Sequence, residues 1–317
     1  MAGIGEGRDR LPDFLCVGAA KSGTTSLYRQ LVDSGRVFVP QVKEGRFFSQ
    51  LPRNHRGGRA AQWVNGGARH IQEYTALFEG ADGRLKGDIS PDYFFHYERS
   101  IPEIKKVLGR NTPIIILLRE PVRRAFSMYL HAVRLGSEDL SFERALDVED
   151  ERARRGYAWP FQYRRVGMSS DAVEAYLSVF ENVKVVLFED FVSGTGVAEV
   201  FDFLGVERSS GIDPVHENPA QVNLPRSLRL NRALHGKTIS AFARTLEPML
   251  PANIYQKLKN IRRSFAGVGR EAELNIATEM ALREFFRPDI DRLGGVLGRN
   301  LTHWANPQEP LARSESK

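Results

Sequence analysis

Cysteine is nearly absent: Cys16 is the only one in 317 residues. One thiol cannot close an intramolecular disulfide, which excludes a disulfide scaffold and points to a reducing compartment, the cytoplasm. Long apolar runs are missing as well, and nothing approaches the ~18 consecutive residues of a membrane span. The opening stretch MAGIGEGRDRLPDFLCVGAA breaks its apolar residues with charges and ends in a glycine turn, so no secretory leader is expected. The Cys/His spacing of a metal site does not occur, and no metal is expected. Internal repeats and low-complexity tracts are also lacking. Lys and Arg total 45 against 39 Asp and Glu, a net charge of +6. Such a surface attracts anions, but the basic residues are scattered and show no aromatic–basic repeat, so nucleic acid is not the expected partner.

What is present is a globular composition, 42% hydrophobic, with strand and helix signals in alternation. Phe14 to Val17 is a short apolar run ending at Gly18, the mark of a strand entering a turn. Thr24 to Leu31 places Leu27 and Leu31 at helical spacing. Ile114-Ile115-Ile116-Leu117-Leu118 is unbroken, as in a strand buried on both faces of a parallel sheet. It ends at Arg119, and Pro121 stands where a helix begins. Val173, Tyr176, Leu177 and Phe180 mark a further helix, followed by a strand over Lys184 to Phe188. The later chain reads as mainly helical, with loops near Pro214–Pro225 and Gly267–Gly269. The expected fold is therefore α/β, a three-layer sandwich with a central, mostly parallel sheet and a helical C-terminal part. After Trp304, Pro307, Pro310 and a polar end predict a loose tail.

Two segments carry chemistry. Gly18-Ala19-Ala20-Lys21-Ser22-Gly23-Thr24-Thr25-Ser26 joins the first strand to the first helix. Small residues let backbone approach an anion, the helix start offers N–H donors and a positive dipole end, and Thr24, Thr25 and Ser26 add hydroxyls. Gly18 and Gly23 have the glycine spacing of a nucleotide-triphosphate loop, but Thr24 holds the lysine position and the lysine sits at 21. A donor with no polyphosphate chain to clamp suits that change. The second segment is I-I-I-L-L-R-E-P-V-R-R-A-F-S-M-Y. Arg119 leaves the carboxyl end of a central strand, where ligands of open α/β sheets bind, and its planar fork suits a phosphate. Ser127 follows on the helix. Taken singly, Arg119 also fits a structural salt bridge, and Ser127 reads as a hydroxyl that simply faces solvent.

Taken together, the two segments closely resemble the donor-binding motifs of sulfotransferases that use 3′-phosphoadenosine 5′-phosphosulfate (PAPS). K-S-G-T-T-S-L, residues 21–27, matches the family form K-[ST]-G-T-T-x-L. Residues 119–129 match R-x-P-x-x-R-x-x-S-x-Y, including Pro121, Arg124 and Tyr129. The likeness extends to Phe188-Glu189-Asp190-Phe191 and to R-P-D-I-D-R-L-G-G-V-L-G-R-N-L-T-H-W, and so covers roughly residues 12–304. It implies one sulfotransferase domain over 1–306 with a flexible tail, 307–317. It also implies that Lys21 contacts the leaving-group oxygen, that Lys21, Ser22, Gly23, Thr24, Thr25 and Ser26 hold the 5′-phosphosulfate, and that Arg119 and Ser127 hold the 3′-phosphate. The product is PAP.

On the acceptor side, Val42-Lys43-Glu44-Gly45-Arg46-Phe47-Phe48 resembles the K-E-x-x-F-F segment of the heparan-type branch, which implies Glu44 as general base with Lys43 balancing charge. Pairing of Glu44 with Lys43 or Arg46 in solvent is the alternative, and Asp88, Asp92 and His96 are competing bases. Gly87-Asp88-Ile89-Ser90-Pro91-Asp92-Tyr93-Phe94 resembles the next block, G-E-K-[ST]-P-x-Y, with Ile89 in place of the lysine. The paired cysteines and nucleotide loop of heparan-type enzymes are missing. These departures suit a cytosolic, bacterial-type member acting on a small molecule, a lipid or an oligosaccharide. Asn223 to Ser227 is a further candidate wall. The rival readings are a P-loop kinase or NTPase and a non-enzymatic module binding anions or nucleic acid.

Overall fold

The computed structural model describes residues 8–41, 44–207, 227–229 and 273–306. Five parallel strands form one sheet in the order β2-β3-β1-β4-β5: β1 (Phe14–Gly18), β2 (Val37–Phe38), β3 (Leu85–Ile89), β4 (Ile114–Leu118) and β5 (Val183–Leu187). The helix α1 (Thr24–Asp33) links β1 to β2. Between β2 and β3 lie α2 (Gly58–Val64) and α3 (Ile71–Ala76), and between β3 and β4 lie α4 (Asp92–Phe95) and α5 (Tyr97–Leu108). From β4 the chain runs through α6 (Pro121–Arg134), α7 (Phe142–Asp147), α8 (Glu149–Arg154), α9 (Tyr163–Gly167) and α10 (Ser170–Val179) to β5. Next come α11 (Phe188–Ser193) and α12 (Thr195–Phe203), and further on α13 (Ile276–Leu297) and α14 (Thr302–Ala305).

Alternation along the strands builds two cores. Leu15, Val17, Ile114, Ile116 and Leu118 face α5, α6, α10 and α13. Phe14, Cys16, Ile115 and Leu117 face α1 and α12. Both faces of the central strands are covered, which is why β4 reads as five apolar residues in a row. The α/β sandwich expected from the sequence is the one observed. Two details differ: Leu177, expected on the packed side of α10, is 39% exposed, and Phe188, expected to end the last strand, opens α11 instead.

The C-terminal helices brace the sheet edge where the strands end. Asp289 of α13 accepts from the Ser169 and Ser170 backbone N–H groups (2.9 and 3.0 Å), capping α10. Buried Arg283 donates to the Trp304 carbonyl (2.7 Å) and to Glu279. The Trp304 indole donates to Glu189 (2.9 Å), and Arg299 pairs with Asp190 (2.7 Å). The second pair of family-like segments is thus bound together as scaffold. The loops near Pro214–Pro225 and Gly267–Gly269, Asn223 to Arg226, Val42, Lys43 and the tail 307–317 lie outside the described residues.

Candidate active site

Because β1 is flanked by β3 on one side and β4 on the other, the connections leaving β1 and β4 diverge to opposite faces and open a crevice at their carboxyl ends. The loop after β1 fills it. The pairing register of β1 with β4 slips between Cys16 and Gly18, and the Ala19 N–H donates to the Leu117 carbonyl (2.7 Å), so the loop starts anchored to the neighbouring strand. Gly18 has φ of 145°, and a Cβ there would meet the Phe94 Cβ at 2.6 Å. Gly23, the N-cap of α1, has φ of 96°, with the Phe188 and Phe191 rings 3.3–3.4 Å from where a Cβ would stand. Both positions therefore require glycine. Lys21 also lies in the left-handed region, φ 67°, a conformation a lysine adopts at some cost. The first turn of α1, Thr24 to Ser26, presents N–H groups that an α-helix leaves without an i−4 acceptor. The Ser22 hydroxyl is fully buried with no hydrogen-bond partner.

Arg119 stands beside this loop at the end of β4. Its guanidinium donates to the Lys21 carbonyl (3.4 Å) and lies over the Phe188 ring, 4.4 Å from the centroid. Three adjacent strand ends thus meet in one place. Glu120 caps α6 by accepting from the Val122 and Arg123 N–H groups (3.1 and 2.7 Å), which fixes the helix that carries Ser127, itself half-buried. Arg124 and Tyr129 of the same motif have another task. Arg124 is fully buried and donates to the Ser169 hydroxyl (3.0 Å) and the Met168 carbonyl (2.8 Å). Tyr129 donates to the Leu140 carbonyl (3.1 Å). The motif thus holds one residue beside the loop, Arg119, and two that brace α6, Arg124 against the segment before α10 and Tyr129 against the chain before α7.

The residues expected on the acceptor side gather at the end of β3. Glu44 forms an ion pair with Arg46, both side chains being less than a tenth exposed. The pairing named as an alternative therefore exists, but it is buried rather than in solvent, and the Arg46 guanidinium also covers the Trp63 ring at 4.1 Å. Asp88 accepts from the hydroxyls of Tyr74 (2.7 Å), Tyr93 (2.8 Å) and Ser90 (2.6 Å). With both oxygens engaged, it is a structural hub, although burial raises its pKa. Asp92 differs: neither carboxyl oxygen has a hydrogen-bond partner of good geometry, and burial pushes its pKa up to about 6 against the pull of Arg46 and Ser49. The Nε2 of His96 is buried without a partner, and burial with the Arg165 and Arg99 charges pushes its pKa down to about 3. At neutral pH His96 is uncharged.

This geometry has counterparts among proteins of known class. The crystal structure of a sulfotransferase from Alicyclobacillus acidocaldarius superposes with a TM-score of 0.71 and 30% sequence identity, covering 93% of this chain and 99% of that one. The chain belongs to the sulfotransferase family. Two curated relatives agree: a membrane-associated sulfotransferase of Dictyostelium discoideum, 29% identical over 124 residues, and heparan sulfate glucosamine 3-O-sulfotransferase 6 of Homo sapiens, 29% identical over 212 residues. The matches cover 39% and 64% of this chain but only 24% and 55% of those proteins. No family model matches.

Three residues of this sulfotransferase crevice escape sequence reasoning. Arg46 is visible there only as a partner for Glu44. Trp63 on α2 and His131 on α6 carry no motif, yet their rings meet edge to face at 6.0 Å. Burial, with the charges of Lys21 and Arg134, pushes the His131 pKa down to about 3. His131 lies one helical turn beyond Ser127, so the i,i+4 relation is the available signal. Among the described residues no group of three or more His, Cys, Asp or Glu is arranged to hold a metal ion, and no helix is long and apolar enough to cross a membrane.

Proposed function

We propose that this sulfotransferase uses PAPS as donor and transfers its sulfuryl group to a hydroxyl or amine of a small-molecule, lipid or oligosaccharide acceptor, releasing PAP. The observation that carries the reading is the approach of Arg119 to the glycine loop at the junction of β1 and β4, 3.4 Å from the Lys21 carbonyl. It sets a guanidinium beside a loop built for one anionic group, as a nucleotide with phosphates on both its 5′ and 3′ sides requires. The buried, unpartnered Ser22 hydroxyl and the cradle closed by Gly23 fit such a group.

In this reading Gly23 to Ser26 hold the 5′-phosphosulfate through backbone and hydroxyl donors. Arg119 and Ser127 hold the 3′-phosphate. The acceptor oxygen forms a bond to sulfur as the bond from sulfur to the 5′-phosphate oxygen breaks. Lys21 neutralises the electron pair that stays on that phosphate, and Glu44 takes the acceptor proton. Positioning and charge neutralisation supply most of the catalysis. Cys16, the one cysteine of the sequence, is buried and forms no disulfide, which suits the cytoplasm as the proposed location. Isothermal calorimetry tests the donor assignment: PAP should bind at least ~10-fold more tightly than AMP, about 1.4 kcal/mol, and Arg119→Ala should narrow the gap. Equal affinities for PAP and AMP would remove the 3′-phosphate assignment.

A further inference from the structure

A cavity of about 280 Å³ lies behind the phosphate loop, bounded by Ala19, Ala20, Phe94, Phe95 and Trp159, and none of Lys21, Ser22, Glu44 or Asp92 lines it. The chain that carries Glu44 is held elsewhere, at the end of β3. How it is held decides where that carboxylate stands.

Glu44 and Arg46 both have left-handed backbone, φ 73° and 51°. Neither is glycine, so each conformation costs free energy and persists only where the surroundings over-determine it. Around this turn they do. The Arg46 N–H donates to the Ser90 hydroxyl (3.2 Å), which donates to Asp88 Oδ1 (2.6 Å). The Phe48 N–H donates to the Tyr93 hydroxyl (3.4 Å), which donates to Asp88 Oδ2 (2.8 Å). The Tyr74 hydroxyl donates to that same oxygen (2.7 Å), and the Tyr74 ring stacks on Phe47 with centroids 4.8 Å apart. A Cβ at Gly45 would meet the Tyr74 ring at 3.0 Å, so this ring lies directly on the turn. Four consecutive residues, 45 to 48, thus rest on side chains bonded to Asp88. Asp88, Ser90 and both tyrosines are buried, where a hydroxyl–carboxylate bond is strong and a stranded partner costly.

The Glu44–Arg46 ion pair forms on this braced backbone. The brace is rooted in the sheet, because Asp88 is in register with Leu15 of β1, the strand that feeds the phosphate loop. We propose that Asp88 is a positioning residue for the transfer step. Through Ser90, Tyr93 and Tyr74 its carboxylate fixes the 44–48 turn to β3, so that the sheet itself sets Glu44 relative to the donor loop. The inference rests on the reading above in which Glu44 takes the acceptor proton.

The test pairs amide hydrogen exchange with single-turnover label transfer from PAPS to whichever of three probes, 2-naphthol, decanol or a heparan-type oligosaccharide, the wild type sulfates fastest. Circular dichroism identifies which variants are folded. Asp88→Asn keeps the shape and removes an acceptor oxygen. Ser90→Ala cuts the link to Arg46, and Ser90→Thr keeps the hydroxyl. Asp88→Asn should speed exchange of the Arg46 and Phe48 amides at least ~10-fold, although it touches neither directly. Asp88→Asn and Ser90→Ala should each slow transfer at least ~10-fold, since small misplacements of a reacting group are costly, while PAP affinity stays within twofold. Ser90→Thr should restore the rate to within threefold. Tyr163→Phe loses an equally buried bond, to Glu138 (2.7 Å), and should keep the rate within twofold. Added to Glu44→Gln, Ser90→Ala should slow transfer less than twofold further, because no base is left to misplace. A general loss of stability would not depend on Glu44 in this way. Unchanged exchange in folded Asp88→Asn, a Ser90→Ala rate within twofold of wild type, or equal losses with and without Glu44 would overturn the proposal. A wild-type rate in Glu44→Gln would count against the base reading instead, and amide exchange would still decide whether Asp88 holds the turn.

Discussion

Replacing Asp92 by Asn should stabilise this protein, and by an amount that depends on pH. The Asp92 carboxyl is 1% exposed, and neither oxygen is properly hydrogen-bonded. Burial is the main cause of its raised pKa. Arg46 and Ser49 oppose the rise without cancelling it, and the charges of Glu44 and Asp88 add to it. Moving the value from 3.8 to about 6 corresponds to roughly 3 kcal/mol. The native state binds this proton more tightly than the unfolded chain does. The associated stability is therefore fully present below about pH 4 and is lost as pH rises through about 6. Asn keeps the shape and cannot ionise. Asp92→Asn should therefore match the parent near pH 3.5 and exceed it by up to about 3 kcal/mol at pH 8, read from urea midpoints at fixed m. No gain at pH 8, or a gain that does not shrink toward pH 3.5, would refute the argument. Single-turnover rates on the same variant address its chemical role. A stabilised variant that has lost the chemical step would make Asp92 the group that takes the acceptor proton, an uncompensated carboxyl kept for function at the expense of stability.

Lys21→Ala should slow single turnover ~100-fold, about 2.7 kcal/mol, and weaken PAP binding less than ~10-fold, because the backbone donors and Arg119 remain. A rate within threefold of wild type would remove Lys21 from the chemistry. Glu44→Gln should leave PAP affinity nearly unchanged and lower the chemical rate by ~10²–10⁴. It should also cost about 3 kcal/mol in urea unfolding, since it strands the buried Arg46 guanidinium. Adding Arg46→Met should restore the stability and not the rate, and recovery of both would reduce Glu44 to a structural partner.

The strands differ in how plainly the sequence announces them, and burial explains why. β1 and β4 are covered on both faces, so they read as unbroken apolar runs. β3, Leu-Lys-Gly-Asp-Ile, is equally part of the sheet and carries no such signal. Lys86 reaches Asp13 at 3.1 Å, and Asp88 is buried among three hydroxyls donated by residues 74, 90 and 93. A pattern of apolar spacing scores both as solvent-facing. The burial of Glu44 and Arg46 is hidden for a related reason. Trp63, which covers the guanidinium, comes 17 positions later on α2, and nothing local to residues 44–46 reveals it.

The same distinction separates the donor side from the acceptor side. Each element proposed to hold the donor is one short stretch at a strand end: the loop at 18–26 and Arg119 with α6, with Phe188 beside them. Sheet order alone brings them together, and so their spacing survives as a motif that a single sequence displays. The cavity behind the loop is assembled from residues 19–20, 94–95, 159, 165 and 172, five segments that no local motif links. Each contributes through volume and ring orientation, which many residue types can supply. A loop that must hold a phosphate tolerates few alternatives, while a wall that must accommodate a ring tolerates many. Kinship with other sulfotransferases therefore constrains what is transferred far more tightly than what receives it.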